Sequence, residues 1–196
     1  IDDFLVIYNR GGYIAGGLPL KIRIGTVILI GLMGAWWFYS KLDVTSIDIP
    51  FNGAVNLGYF FIPLFVIVML ALFSGGVIDG IDGLSGGIMA TIFSAYGGIA
   101  FFQNQIDLAT FCFVVAGSIL AFLWFNIPPA RFYMSETGML GLTTSLTVVA
   151  FLTKSVVVLP IIALPLFLAS GSVIIQVLSK KFRNGKKVFL VAPIHH

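Results

Sequence analysis

Six apolar runs of bilayer length dominate this chain, near 22–40, 59–78, 84–103, 107–126, 139–155 and 156–178. An α-helix needs about 20 such residues to cross a hydrocarbon core. In lipid each backbone amide must be satisfied internally, so only helices and closed barrels span a membrane, and runs of this length select helices. Of the 196 residues, 59% are hydrophobic and 10% charged, and the mean hydropathy is +1.06. The chain therefore reads as an all-α integral membrane protein, a polytopic bundle of about six transmembrane helices forming a single domain over 1–196, and not as a soluble fold.

The breaks between runs carry the remaining local structure. Lys154 and Ser155 are the only polar separation between the fifth and sixth runs, and Pro160 and Pro165 interrupt the sixth. Proline kinks a spanning helix where neighbours re-satisfy the freed carbonyls. Between the first two runs, Thr45, Ile47, Ile49 and Phe51 alternate with polar or turn-prone neighbours and Asn52-Gly53 follows, which predicts a short β-hairpin with a tight turn. Cys112 is the one cysteine, so no intrachain disulfide forms. Ile1 stands in place of Met, and Asp2-Asp3 follows with no signal-peptide pattern before it, so the start of a longer protein is expected to be missing.

Sidedness comes from charge. If the runs alternate across the bilayer, residues 1–21, 79–83, 127–138 and 179–196 share one side. That side holds Arg10, Lys21, Arg23, Arg131, Lys180, Lys181, Arg183, Lys186 and Lys187, nine of the eleven basic residues; the other side holds Lys41 and Lys154. By the positive-inside rule the basic side is cytoplasmic, which makes the hairpin extracytoplasmic. Asp2, Asp3, Asp79, Asp82 and Glu136 fall on the same cytoplasmic side.

Among these, the stretch Gly75–Gly87, with Asp79 and Asp82 wrapped in glycine between two apolar runs, has no routine structural use. A carboxylate in a membrane segment costs about 2.5 to 3.5 kcal/mol on insertion scales and marks function by default. On a helix beginning near Asp79, positions 79 and 82 share a face, and glycines there let a phosphate-bearing ligand reach backbone amides. The competing reading makes one of the two a helix N-cap. Glu136 likewise suits either a metal or the dipole of a helix start, and Tyr133 is of the type found at membrane interfaces. Carboxylates near a basic rim suit magnesium, which takes oxygen ligands and substrate phosphates. Zinc is disfavoured, because no HExxH or Cys/His spacing is present.

Several segments resemble one family. Ile1-Asp2-Asp3-Phe4-Leu5 looks like a paired-aspartate motif, Asp79-Gly80-Ile81-Asp82-Gly83-Leu84 like DGLDGL, and Phe125-Asn126 through Tyr133-Met134-Ser135-Glu136-Thr137-Gly138 like YN…FMGDTG. Gly185-Lys186-Lys187-Val188-Phe189 with Ala192-Pro193-Ile194-His195-His196 looks like GKRVF…APIHHH. Together they are similar to the phospho-N-acetylmuramoyl-pentapeptide transferases, within the polyprenyl-phosphate N-acetylhexosamine-1-phosphate transferases. The resemblance implies a multi-pass enzyme of the bacterial plasma membrane with a cytoplasmic active site. Its substrates would be UDP-N-acetylmuramoyl-pentapeptide and undecaprenyl phosphate, its products UMP and lipid I of peptidoglycan synthesis, and its cofactor Mg2+. It places Glu136 at the metal, and Asp2 and Asp3 at an essential pair that deprotonates the lipid phosphate or helps place the metal. Asp79, Asp82, Asn126 and Tyr133 fall at the nucleotide substrate, and His195 and His196 at a catalytic loop. Phosphoryl transfer of this kind requires chiefly alignment and charge neutralisation.

Glu136 departs from the family's Asp, Ser135 from Gly, Gly76 from Asn, Val6 from Lys and Ala169 from Glu. The segment covers about two thirds of a typical member and alone is expected to be inactive. Two alternatives stand beside the transferase: a UDP-N-acetylglucosamine-using relative, disfavoured by the Ala192–His196 motif, and a non-catalytic bundle or transporter, which should show mid-membrane charges and inverted repeats. Lipid is an implied partner, nucleic acid is not, and a homodimer is left open.

Overall fold

The computed structural model describes residues 20–49, 53–75 and 82–182. Helix α1, Leu20–Lys41, leads into a two-stranded hairpin, β1 Ser46–Ile49 and β2 Gly53–Asn56. A short 3-10 turn, Gly58–Phe60, then opens α2, Phe61–Gly75. Helices α3, Leu84–Phe102, and α4, Ile106–Asn126, follow as a tight antiparallel pair. The chain continues through α5, Glu136–Leu152, a 3-10 turn Val156–Val158, the one-turn α6, Leu159–Ile162, and α7, Leu164–Phe182. The architecture is a membrane-type helical bundle with one small antiparallel hairpin, as hydropathy and strand alternation lead one to expect. Among the described residues, three helices are long and apolar enough to cross a membrane, over Lys21–Lys41, Leu84–Phe102 and Ile106–Asn126; Gly58–Ser74 and Thr137–Leu152 are shorter apolar helices.

The sixth apolar run, read as one helix near 156–178, is divided. Pro160 lies in the first turn of α6, where its missing N–H is harmless. Ala163 leaves helical geometry at φ −97°, ψ 25°, and α7 restarts with Pro165 as its second residue. Pro165 has no N–H to carry the ladder on from α6, so the helix breaks at Ala163 and restarts at Leu164.

Helix contact follows small residues and aromatics. Lipid is as apolar as leucine, so spanning helices associate by close packing where glycine lets backbones approach. A Cβ at Gly97 of α3 would lie 2.9 Å from the Phe113 ring of α4, and one at Gly86 would lie 2.9 Å from Leu123. On the other side, α1 packs on α2, with Gly34 against the Phe65 ring. Phe38, Phe61, Phe65 and Phe151 then interlock α1, α2 and α5, with ring centroids from 4.6 Å for Phe65–Phe151 to 6.4 Å for Phe38–Phe151. All four are buried, and each such aromatic pair adds about 0.5–1.5 kcal/mol beyond area burial.

Hydrogen bonds fix the two ends of the bundle. At one end the Asp48 N–H donates to the Lys154 carbonyl at 3.0 Å, seating the hairpin on the turn between α5 and α6. The Gln103 side-chain amide donates to the Thr153 carbonyl at 3.0 Å, and the buried Tyr96 hydroxyl to the Ser155 carbonyl at 3.2 Å. The hairpin, the α3–α4 turn and Lys154 are thereby gathered together. The opposite end carries Asp82 and the 127–135 loop.

Candidate active site

The loop between α4 and α5 begins where the chain loses its helix-forming option. Ile127 precedes Pro128 and is extended, φ −69° and ψ 152°, as a residue before proline should be. The loop then folds back on the helix it has just left. The Arg131 N–H donates to the Phe125 carbonyl at 2.9 Å, and the Phe132 ring lies 5.3 Å from Phe122 and 5.6 Å from Phe125. Helix α5 starts cleanly because Ser135 caps it, its hydroxyl accepting from the Gly138 N–H at 3.3 Å. Serine in place of glycine at this position thus adds a cap of a preferred type.

Against this loop sits the start of α3. Gly83 adopts φ +79°, a left-handed geometry that glycine takes without steric cost. Its N–H donates to Asn126 Oδ1 at 2.9 Å, and Asn126 Nδ2 donates to the Phe132 carbonyl at 2.9 Å. Asn126 is 1% exposed, so its amide is a buried bridge with both ends occupied. Beside it, Asp82 Oδ2 accepts from the Ala130 N–H at 3.0 Å. The alternative reading of Asp82 as a cap of its own helix is therefore corrected: α3 has no side-chain cap, and the carboxylate reaches across to the loop instead. The Tyr133 hydroxyl faces the same carboxylate. A hydrogen bond to Asp82 first, and its negative charge second, push the phenol pKa above its ordinary 10.0. Tyr133 is 60% exposed, leaving its ring open to a ligand while its hydroxyl is held.

Three of the nine sequence-predicted site residues, Asp82, Asn126 and Tyr133, thus come together at one end of the bundle. The backbone puts Glu136 at the first position of α5, three residues after Tyr133; its side chain lies outside the described residues. Asp2, Asp3, Asp79, His195 and His196 also lie outside them. Among the described residues no group of three or more His, Cys, Asp or Glu side chains gathers. Sequence reasoning did not single out the Ala130 and Gly83 N–H groups, which tie the loop to α3. No residue-type signal marks a backbone donor; the nearest clue is Asn126 standing just before Ile127-Pro128-Pro129.

Residues 1–154 match the model of the glycosyl transferase family 4. The chain belongs to this family. Along its whole length it is also similar to curated relatives named phospho-N-acetylmuramoyl-pentapeptide-transferase. It is 35% identical to one from Listeria monocytogenes serovar 1/2a and 37% identical to one from Clostridium perfringens strain 13. The chain spans 60% of the length of the first and 61% of the second. Within family 4, then, this segment carries the loop pair Asp82–Gly83 and 126–136 as a preassembled unit.

Proposed function

We propose that the protein carrying this chain transfers phospho-N-acetylmuramoyl-pentapeptide from UDP-N-acetylmuramoyl-pentapeptide to undecaprenyl phosphate. UMP leaves and lipid I forms, at the cytoplasmic face of the bacterial plasma membrane. The observation that carries this reading is the juncture of Asp82, Asn126 and Tyr133 at one end of a bundle whose named relatives match it along its entire length. The open Tyr133 ring offers a stacking face for a nucleobase, and Asp82 holds it toward the juncture. Basic residues concentrated on the same side suit the diphosphate and the lipid phosphate.

A divalent cation fits the donor chemistry here. Residues 82–83 and 126–136 contain no cysteine or histidine, and the groups present are oxygen donors of the kind magnesium prefers. The resemblance places Glu136 at the metal, and in this proposal it is the residue that would hold the ion. When bound, magnesium supplies charge neutralisation for a diphosphate. In this proposal Asp2 and Asp3 ready the acceptor phosphate, while Asp79, His195 and His196 complete the donor side.

The test uses the intact protein in membranes with radiolabelled UDP-N-acetylmuramoyl-pentapeptide and undecaprenyl phosphate. Lipid-extractable label should form, vanish with EDTA and return with excess magnesium. Glu136→Gln should abolish it. No magnesium-dependent lipid product from folded protein would sink the proposal; product from UDP-N-acetylglucosamine instead would move the assignment to that branch.

A further inference from the structure

We infer that Asn126 is a positioning residue: its buried amide sets the register of the 127–135 loop against the start of α3 and thereby holds Asp82 and Tyr133 face to face. The resemblance places Asn126 among the residues that bind substrate. The structure gives its side chain another task. An asparagine amide offers one acceptor oxygen and one donor nitrogen, and here the oxygen takes the Gly83 N–H at 2.9 Å while the nitrogen meets the Phe132 carbonyl at 2.9 Å. These two backbone groups are separated by almost fifty residues yet each is the immediate neighbour of a site residue, Gly83 of Asp82 and Phe132 of Tyr133. The amide is also 1% exposed, whereas a ligand-binding group needs a face turned to the ligand. A side chain so placed acts on the substrate only through what it holds.

The second bond across the same gap, Ala130 N–H to Asp82 Oδ2 at 3.0 Å, has no such independence. Nothing in Ala130 fixes its amide except the path of the loop, and that path is pinned at Phe125 and at Phe132. Loss of the Asn126 amide leaves the Arg131–Phe125 bond and the Phe132 ring contacts in place but unties the loop from Gly83, so the stretch that carries both partners of Asp82 loses its register against α3. Arg131 is the one charged residue of the stretch 127–135.

The experiment places 3-fluorotyrosine at position 133 of the intact protein and follows its fluorine resonance. Asp82→Asn, which removes charge without changing shape, should shift that resonance in the parent. In an Asn126→Ala background the same change should leave it in place, because the two groups no longer meet. An undiminished Asp82→Asn shift in folded Asn126→Ala overturns the inference. Should Asn126→Ala fail to fold, Asn126→Asp keeps the acceptor for Gly83, loses the donor to Phe132, and is read the same way. A kinetic arm rests on the transfer reading above: Asn126→Ala should raise the KM for UDP-N-acetylmuramoyl-pentapeptide about tenfold with kcat within about threefold, the pattern of lost uniform binding. The two readings separate cleanly. Loss of coupling in Asn126→Ala, with no lipid product from the parent protein, refutes transfer and supports positioning. Normal transfer with coupling intact in Asn126→Ala refutes positioning and supports transfer.

Discussion

Gly86 lies one turn into α3 from Gly83 and faces α4 at Leu123, one turn before Asn126. A Cβ built there meets Leu123 Cδ2 at 2.9 Å, Leu123 Cγ at 3.1 Å and Phe122 Cδ1 at 3.4 Å. Carbon atoms rest about 3.5–4.0 Å apart, so the first contact is short by roughly 0.6 Å or more. Because Cγ as well as the terminal methyl is too close, rotation of the Leu123 end does not clear the space, and the helices must separate. Overpacking of this kind costs about 1–3 kcal/mol. Replacing a mid-helix glycine returns at most about 1 kcal/mol of helix propensity. Gly86→Ala should therefore destabilise by about 1 kcal/mol net. Gly98 and Gly117 lie on the same helix pair with nothing within 4 Å of a built Cβ, so alanine there should be neutral or stabilising by up to about 1 kcal/mol. The separation also opens the Gly83–Asn126 hydrogen bond, whose 2.9 Å leaves a few tenths of an ångström before it weakens. Equilibrium unfolding in mixed micelles, with the three variants side by side, measures the contrast. If Gly86→Ala is as stable as Gly98→Ala and Gly117→Ala, the close approach of α3 and α4 is not what positions the loop.

At the other end of the bundle, Tyr96→Phe should cost about 0.6 kcal/mol, a typical membrane side-chain hydrogen bond, because it leaves the packing of the buried ring intact. Tyr96→Ala empties that site and should cost about 3–5 kcal/mol; equal costs in micelle unfolding would assign the stabilisation to the hydroxyl. Tyr133 gives a pH prediction. Its folded pKa is raised by Asp82, so the contact contributes fully below the ordinary phenol value of 10.0 and is lost as pH rises through the higher folded value. The Tyr133 ring, read from the carbon resonances of 13C-labelled tyrosine, should be unchanged from neutral pH to about 9 and change only beyond. Asp82→Asn should bring the midpoint down toward 10.0; an unmoved midpoint would mean that Asp82 is not the cause. Gly83→Ala should cost about 1–2 kcal/mol, since its φ of +79° is a region L-residues enter at that expense; a stable variant would show that α3 can start by another route.

Much of this protein was decided locally, and that part the sequence states by itself. Runs of about 20 apolar residues admit only spanning helices in lipid, and alternation around Ile47 and Ile49 ahead of Asn52-Gly53 specifies a hairpin, found as Ser46–Ile49 paired with Gly53–Asn56. The motifs that resemble the transferases are short linear strings, so they too are legible without coordinates. Pro160 and Pro165 announced an interruption, but not that it would divide the last run at Ala163, because the outcome depends on which carbonyls the neighbouring turns can satisfy. Ala169, where the resemblance has a glutamate, proves to be buried in α7, which only packing could reveal. The use of Asp82 was decided in three dimensions. Its spacing from Asp79 and its glycine setting favour a ligand group over a helix cap; the structure shows that its carboxylate accepts from a backbone amide forty-eight positions away. Such a partner has no side-chain identity to read, and its position is set by a loop that Asn126, Phe125 and Phe132 fold back onto α4. A sequence names the groups that can bond; tertiary structure decides which of them meet.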